Sequence, residues 1–130
     1  MNAEQAKAYI LAGNATFTAK SLATGKHYTF NAKKAKQGYV WFFSVLGGEE
    51  YRYVGTLFGQ RFVVTDKSTF ERESQCVKAL QWVLNCIFVW KELINLEVLH
   101  DGTCGRCGRQ LTHPDSILTG LGPECAKKVA

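Results

Sequence analysis

The sequence predicts an α+β fold: an antiparallel meander of about five strands packed against one long helix, with a small C-terminal zinc module. Three observations predict it. Short alternating segments rich in Thr and aromatic residues fill positions 15–65 and are broken by Gly-containing turns. The apolar period then lengthens to that of a helix over 74–94. Finally, a Cys-x2-Cys pair at Cys104 and Cys107 is followed by Cys125.

The elements follow in order. Residues 4–11 predict a short helix with Ala6, Tyr9 and Ile10 inward, ended near Gly13 and Asn14. Residues 15–22 and 27–31 form a hairpin across Thr24-Gly25-Lys26, and the basic stretch 33–38 reads as a connection. Residues 39–46 make the most hydrophobic strand, with Trp41, Phe43 and Val45 on one face and Val40 and Phe42 on the other, which predicts a central position. Residues 51–58 and 61–65 form a second hairpin across Gly59-Gln60. No helical crossover separates these strands, which argues against a parallel, doubly wound sheet. In 74–94, Val77, Leu80, Val83, Leu84, Ile87 and Phe88 recur at helical spacing, with Ser74 as the N-cap. A second stripe, Trp82, Cys86 and Trp90, leaves the helix too apolar for one covered face, so Trp82 and Trp90 are a candidate partner interface. Residues 96–99 form a short strand leading into the module, which divides the chain at 1–99 and 100–130.

A chain of 130 residues with 46% hydrophobic content supports one folded domain plus a small module. The longest apolar runs, 40–46 and 83–90, are too short to span a bilayer, and the N-terminus carries no signal-peptide pattern. A soluble protein of the cytoplasm is expected. The net charge of +5 is concentrated early: residues 1–40 carry six Lys against Glu4 alone. Lys33, Lys34 and Lys36 are therefore candidate phosphate contacts, and they serve equally as a solvated face.

The chemistry lies in the C-terminal segment. Cys104 and Cys107 have the spacing that lets two thiolates reach one ion from a single Gly-containing turn, and Cys125 falls in the first turn of a helix opened by Pro123. Cys76 and Cys86 belong to the apolar helix and read as buried thiols. Two patterns compete for a fourth ligand, H-x3-C-x2-C-x17-C through His100 and C-x2-C-x5-H-x11-C through His113; spacing favours His100 modestly. Arg106, inside the pair, and Arg109, just after it, can offset thiolate charge or meet phosphates.

The segment Cys104-Gly105-Arg106-Cys107-Gly108-Arg109-Gln110-Leu111-Thr112, then Pro114, Ser116-Ile117 and Gly120-Leu121-Gly122-Pro123-Glu124-Cys125, resembles a small domain of unknown function found in phage, prophage and plasmid accessory proteins. The upstream Ala15-Thr16-Phe17-Thr18, Thr24-Gly25-Lys26, Tyr53-Val54-Gly55-Thr56 and Trp82 are similar to the sheet-and-helix part of the same proteins. The resemblance implies a mobile-element accessory protein working inside a bacterial cell. It also implies that the histidine just before the paired cysteines, His100, is the fourth ligand.

Three function classes follow. A closed thiolate-histidine shell leaves no position for a reacting water, so an enzyme is the least supported; Asp66, His27 and Ser68 have no spacing that demands an acid-base set. A DNA- or RNA-binding role draws on Lys33, Lys34, Lys36, Arg106, Arg109 and the strand aromatics. A host-protein inhibitor or adaptor, or a homodimer, draws on Trp82 and Trp90.

Overall fold

The computed structural model describes residues 1–112 and 119–129. The chain opens with helix α1 (Ala3–Ile10), whose N-terminus is closed by a reciprocal capping box. The Asn2 side chain accepts from the Gln5 N–H at 2.8 Å, and the Gln5 side chain accepts from the Asn2 N–H at 2.9 Å. Two of the amide donors at the helix start are thereby satisfied. Tyr9 and Ile10 are fully buried on the inward face, as their spacing predicts.

Five strands follow: β1 (Asn14–Ser21), β2 (His27–Lys34), β3 (Val40–Gly47), β4 (Glu50–Phe58) and β5 (Arg61–Val63). They form the expected meander. The last strand, β6 (Leu96–His100), is more than a lead into the module: it pairs antiparallel with β1 and makes a six-stranded curved sheet in the order β5-β4-β3-β2-β1-β6. Turns at Gly25, Gly48 and Gly59 have positive φ, which glycine adopts without a Cβ penalty. A bulge between Phe43 and Ser44 lets Val54 turn into the core with Gly55, where Phe62 packs against the bare glycine.

Helix α2 (Gln75–Asn85) passes directly into a π-helical turn over Cys86–Trp90, ended by Lys91 in the left-handed conformation. Ser74 occupies the cap position, but its hydroxyl accepts from the Glu71 N–H at 3.1 Å and makes no capping bond to the helix. Both helices cover one face of the sheet. Ile10, Val77, Leu80, Val83 and Ile87 share a single core with inward residues of the strands, among them Phe17, Phe30, Phe43 and Leu57. The expected stripe on α2 divides: Cys86 is buried, whereas Trp82 and Trp90 remain 42% and 40% exposed and pack edge to face, centroids 4.9 Å apart. A short helix α3 (Pro123–Val129) ends the described chain. Among the described residues, no helix is long and apolar enough to cross a membrane.

The strand limits change the reading of the basic stretch. Residues Lys33 and Lys34 belong to β2, not to a connection, and successive strand residues face opposite ways. Lys33 lies across from Phe42, and Lys34 across from Trp41, with its Nζ 5.4 Å from the centroids of both Tyr39 and Trp41. The two lysines therefore serve different faces of the sheet.

Candidate metal centre

The turn after β6 folds Cys104 to Arg109 into a knuckle. The Cys104 N–H donates to the Arg109 carbonyl at 2.8 Å, the Gly108 N–H to the Cys104 carbonyl at 2.9 Å, and Thr103 bridges to Gln110. Gly108 takes φ 78°, so the chain reverses at a residue without a side chain. Cys125 arrives from the first turn of α3. The sulfurs of Cys104, Cys107 and Cys125 lie within 4.8 Å of one another, a triangle able to hold one metal ion. Cys104 and Cys125 are buried, and Cys107 is exposed.

The electrostatics favour thiolate at this place. The N–H groups of Arg106 and Gly122 each donate to the Cys104 sulfur at 3.4 Å. Burial opposes ionisation of Cys104, but the amides of Gly122, Cys107 and Arg106 outweigh it and bring the thiol down to about 7. For Cys125, burial dominates and raises the thiol. The Arg106 guanidinium, 3.7 Å from its sulfur, works the other way, and the two neighbouring cysteines add to the rise. Three thiols so close cannot all ionise without a shared cation, which is the condition a bound metal relieves.

A small apolar cluster supports the knuckle: Ala12, Cys104, Leu111, Leu121 and Cys125. Ala12 comes from the turn after α1, so this cluster is not confined to residues 100–130. Tyr9 forms the other joint. Its hydroxyl donates to the Thr16 carbonyl at 2.6 Å, and its ring packs against both Gly105 and Gly120. A Cβ at Gly105 would stand 2.8 Å from the Tyr9 ring, and one at Gly120 would overlap it. The Gly105 N–H donates to Gly120 and its carbonyl accepts from Asn14, both at 2.8 Å. The module is thus bonded to α1 and β1 as well as following β6.

Of the sequence-predicted ligands, the structure brings together the three cysteines and leaves His100 outside their group. Leu96, Val98 and His100 alternate onto the inward face of β6, so His100 meets Tyr9, ring centroids 5.7 Å apart. Its Nδ1 accepts from the Gly102 N–H at 2.9 Å. The other candidate, His113, lies outside the described residues, as do Pro114, Ser116 and Ile117. Arg106 and Arg109 are exposed on the knuckle, and Lys36 is exposed beyond β2. The thiols of Cys76 and Cys86 are buried, and burial pushes both above the ordinary value of 9.0, as suits inert core groups. Tyr9 and its two glycines carry no metal-ligand signature; an inward aromatic on α1 was the only sequence trace of this joint.

Fold and site together define a class: a sheet-and-helix protein bearing a three-cysteine knuckle able to take a metal ion. Residues 95–130 match a family described as one of unknown function (DUF6011). That match spans the knuckle and β6, and does not extend to the rest of the sheet or to α2. No curated protein and no solved structure matches the chain.

Proposed function

We propose that this chain is a non-enzymatic accessory protein of a mobile genetic element, acting on nucleic acid in the cytoplasm of a bacterial host, with one structural zinc ion in its knuckle. One observation carries the metal reading: three sulfurs within 4.8 Å, with two backbone amides aimed at Cys104. Thiolate-rich sets select zinc among common intracellular ions, and a thiolate-rich shell is characteristic of structural sites. The ion would tie α3 to the knuckle and, through Gly105 and Gly120 against Tyr9, to the sheet. Ser68 supports no acid-base reading, since its hydroxyl bonds the Tyr53 carbonyl and the Phe70 N–H. Nucleic acid is favoured as partner because exposed Arg106 and Arg109 stand on a knuckle bonded to β1, one strand from Lys33.

The test is metal analysis of reduced protein purified without added metal. One zinc per chain is expected, C104S should release it, and C76S should keep it. Protein with intact thiols and no bound metal would refute the site.

A second reading rests on a separate observation. Exposed Trp82 and Trp90 pack edge to face, and the Trp82 Nε1–H donates to the carbonyl of exposed Ile94, beside a cavity of about 520 Å³ lined by Tyr28, Lys78 and Trp82. A patch of this kind suits a host protein or a second copy of the chain. A nuclease-treated pull-down with wild type and W82A/W90A separates this reading from the first.

A further inference from the structure

The helices and the core lie on one face of the sheet, and the opposite face has a composition of its own. On that outer face the register places Asn14, Lys33 and Phe42 side by side across β1, β2 and β3. The next file brings Val40, Phe58 and Arg61 together across β3, β4 and β5. Phe42 is 45% exposed and Phe58 49%. They are diagonal neighbours on adjacent strands, about 7–8 Å apart, with a cation directly across the ladder from each. Two exposed Phe rings on a soluble sheet are costly unless something covers them.

Charge indicates what that something is. The outward positions of β1 to β5 carry Lys20, Lys33 and Arg61 and no carboxylate; Glu97, on β6, lies across from Lys20 at the far edge. The Asn14 end of the first file runs into the knuckle, because the Asn14 N–H donates to the Gly105 carbonyl and Gly108 lies close to its side chain. The knuckle, with Arg109 exposed, thus adjoins this end of the file, while the Arg106 guanidinium is turned to the Cys125 sulfur. The hydroxyls of Thr18 and Thr29 are paired with each other at 2.8 Å, and the Asn31 amide donates to Thr16 at 3.2 Å. These four polar side chains are thus engaged within the sheet, and the exposed ring faces and cations supply the recognition chemistry.

We propose that the outer face from the knuckle through Lys33, Phe42 and Phe58 to Arg61 is a stacking platform for a single strand of nucleic acid. The inference rests on the nucleic-acid reading above and specifies its surface and its ligand. Successive unpaired bases stack on Phe42 and Phe58, and phosphates meet Lys33 and Arg61. A duplex keeps its bases internal and cannot use the rings. Because base faces and phosphates are common to both sugars, DNA and RNA strands bind alike.

Fluorescence anisotropy of the zinc-loaded chain with labelled oligothymidine, oligouridine and a mixed-sequence duplex tests this. Both single strands should bind within a few-fold of each other and more tightly than the duplex. F42A and F58A should each weaken single-strand binding by roughly 5- to 100-fold with the salt slope unchanged. K33A and R61A should each reduce that slope by about 0.7. Both Phe rings are surface groups, so an unchanged thermal midpoint confirms that the variants fold. Single-strand binding that is unaffected by F42A and F58A overturns the platform while leaving the nucleic-acid reading in place. No retention of any nucleic acid at low salt overturns both. A preference for duplex, or a concentration-dependent dimer lost in F42A, assigns the face to a different occupant and also overturns the proposal.

Discussion

Substituting the glycines around Tyr9 should separate two sources of strain in the joint between module and sheet. Gly102 has φ 89° with nothing within 4 Å of an added Cβ, so G102A carries only the left-handed backbone cost of roughly 1–2 kcal/mol. For Gly105, an added methyl would sit 2.8 Å from the Tyr9 ring and 2.9 Å from the Tyr9 carbonyl oxygen. G105A therefore carries only overpacking, about 1–3 kcal/mol. Gly120 has φ 75° and a Cβ that would overlap the same ring, so G120A should carry both, roughly 2–5 kcal/mol. Thermal unfolding of the reduced, zinc-loaded protein is the assay. At about 3–5 °C per kcal/mol for a chain of this size, G102A should lose about 3–10 °C and G120A more. G120A no less stable than G102A, or G105A unchanged from wild type, would refute the account of Tyr9 as packed closely against both glycines.

Two further outcomes are expected. His100 stands outside the cysteine triangle with its Nδ1 bonded to the Gly102 N–H, so H100A should keep zinc within a few-fold; competition against a chelator under reducing conditions checks this, and loss of the ion in H100A would make His100 the fourth ligand. Cys76 and Cys86 should resist alkylation in the native protein. Their folded pKa values are raised, so their contribution to stability is complete below about pH 9, the ordinary thiol value, and is lost as pH rises through the folded values. Denaturant midpoints at alkaline pH should fall less in C86A than in wild type.

Local signals carried most of the fold into the sequence. The meander was legible because Gly25, Gly48 and Gly59 mark its reversals and because Phe17, Phe30, Phe43 and Val45 alternate with polar or exposed neighbours. The pairing of β6 with β1 was not, since strands so distant in the chain share no common turn. Nor was the π-helical turn, where the apolar run continues without a breaker before Lys91. At the site, the spacing of Cys104, Cys107 and Cys125 announced their convergence. The ring of His100 follows the strand parity of Leu96 and Val98 toward Tyr9, a contact that the spacing of the cysteines does not signal.

The seam between β1 and β6, with Tyr9 packed against Gly105 and Gly120, also bears on how the molecule is made. A ribosome delivers α1 and β1 long before β6 and the knuckle emerge. Until β6 arrives, β1 is an open edge, and the face of Tyr9 that the two glycines will enclose has no cover. The contacts that close the molecule thus join early and late parts of the nascent chain, an arrangement that slows folding relative to local pairing. Metal capture by the knuckle comes later still in synthesis, because Cys125 follows every strand. Zinc supply would then influence the yield of finished protein, acting on a sheet whose other strands have already paired.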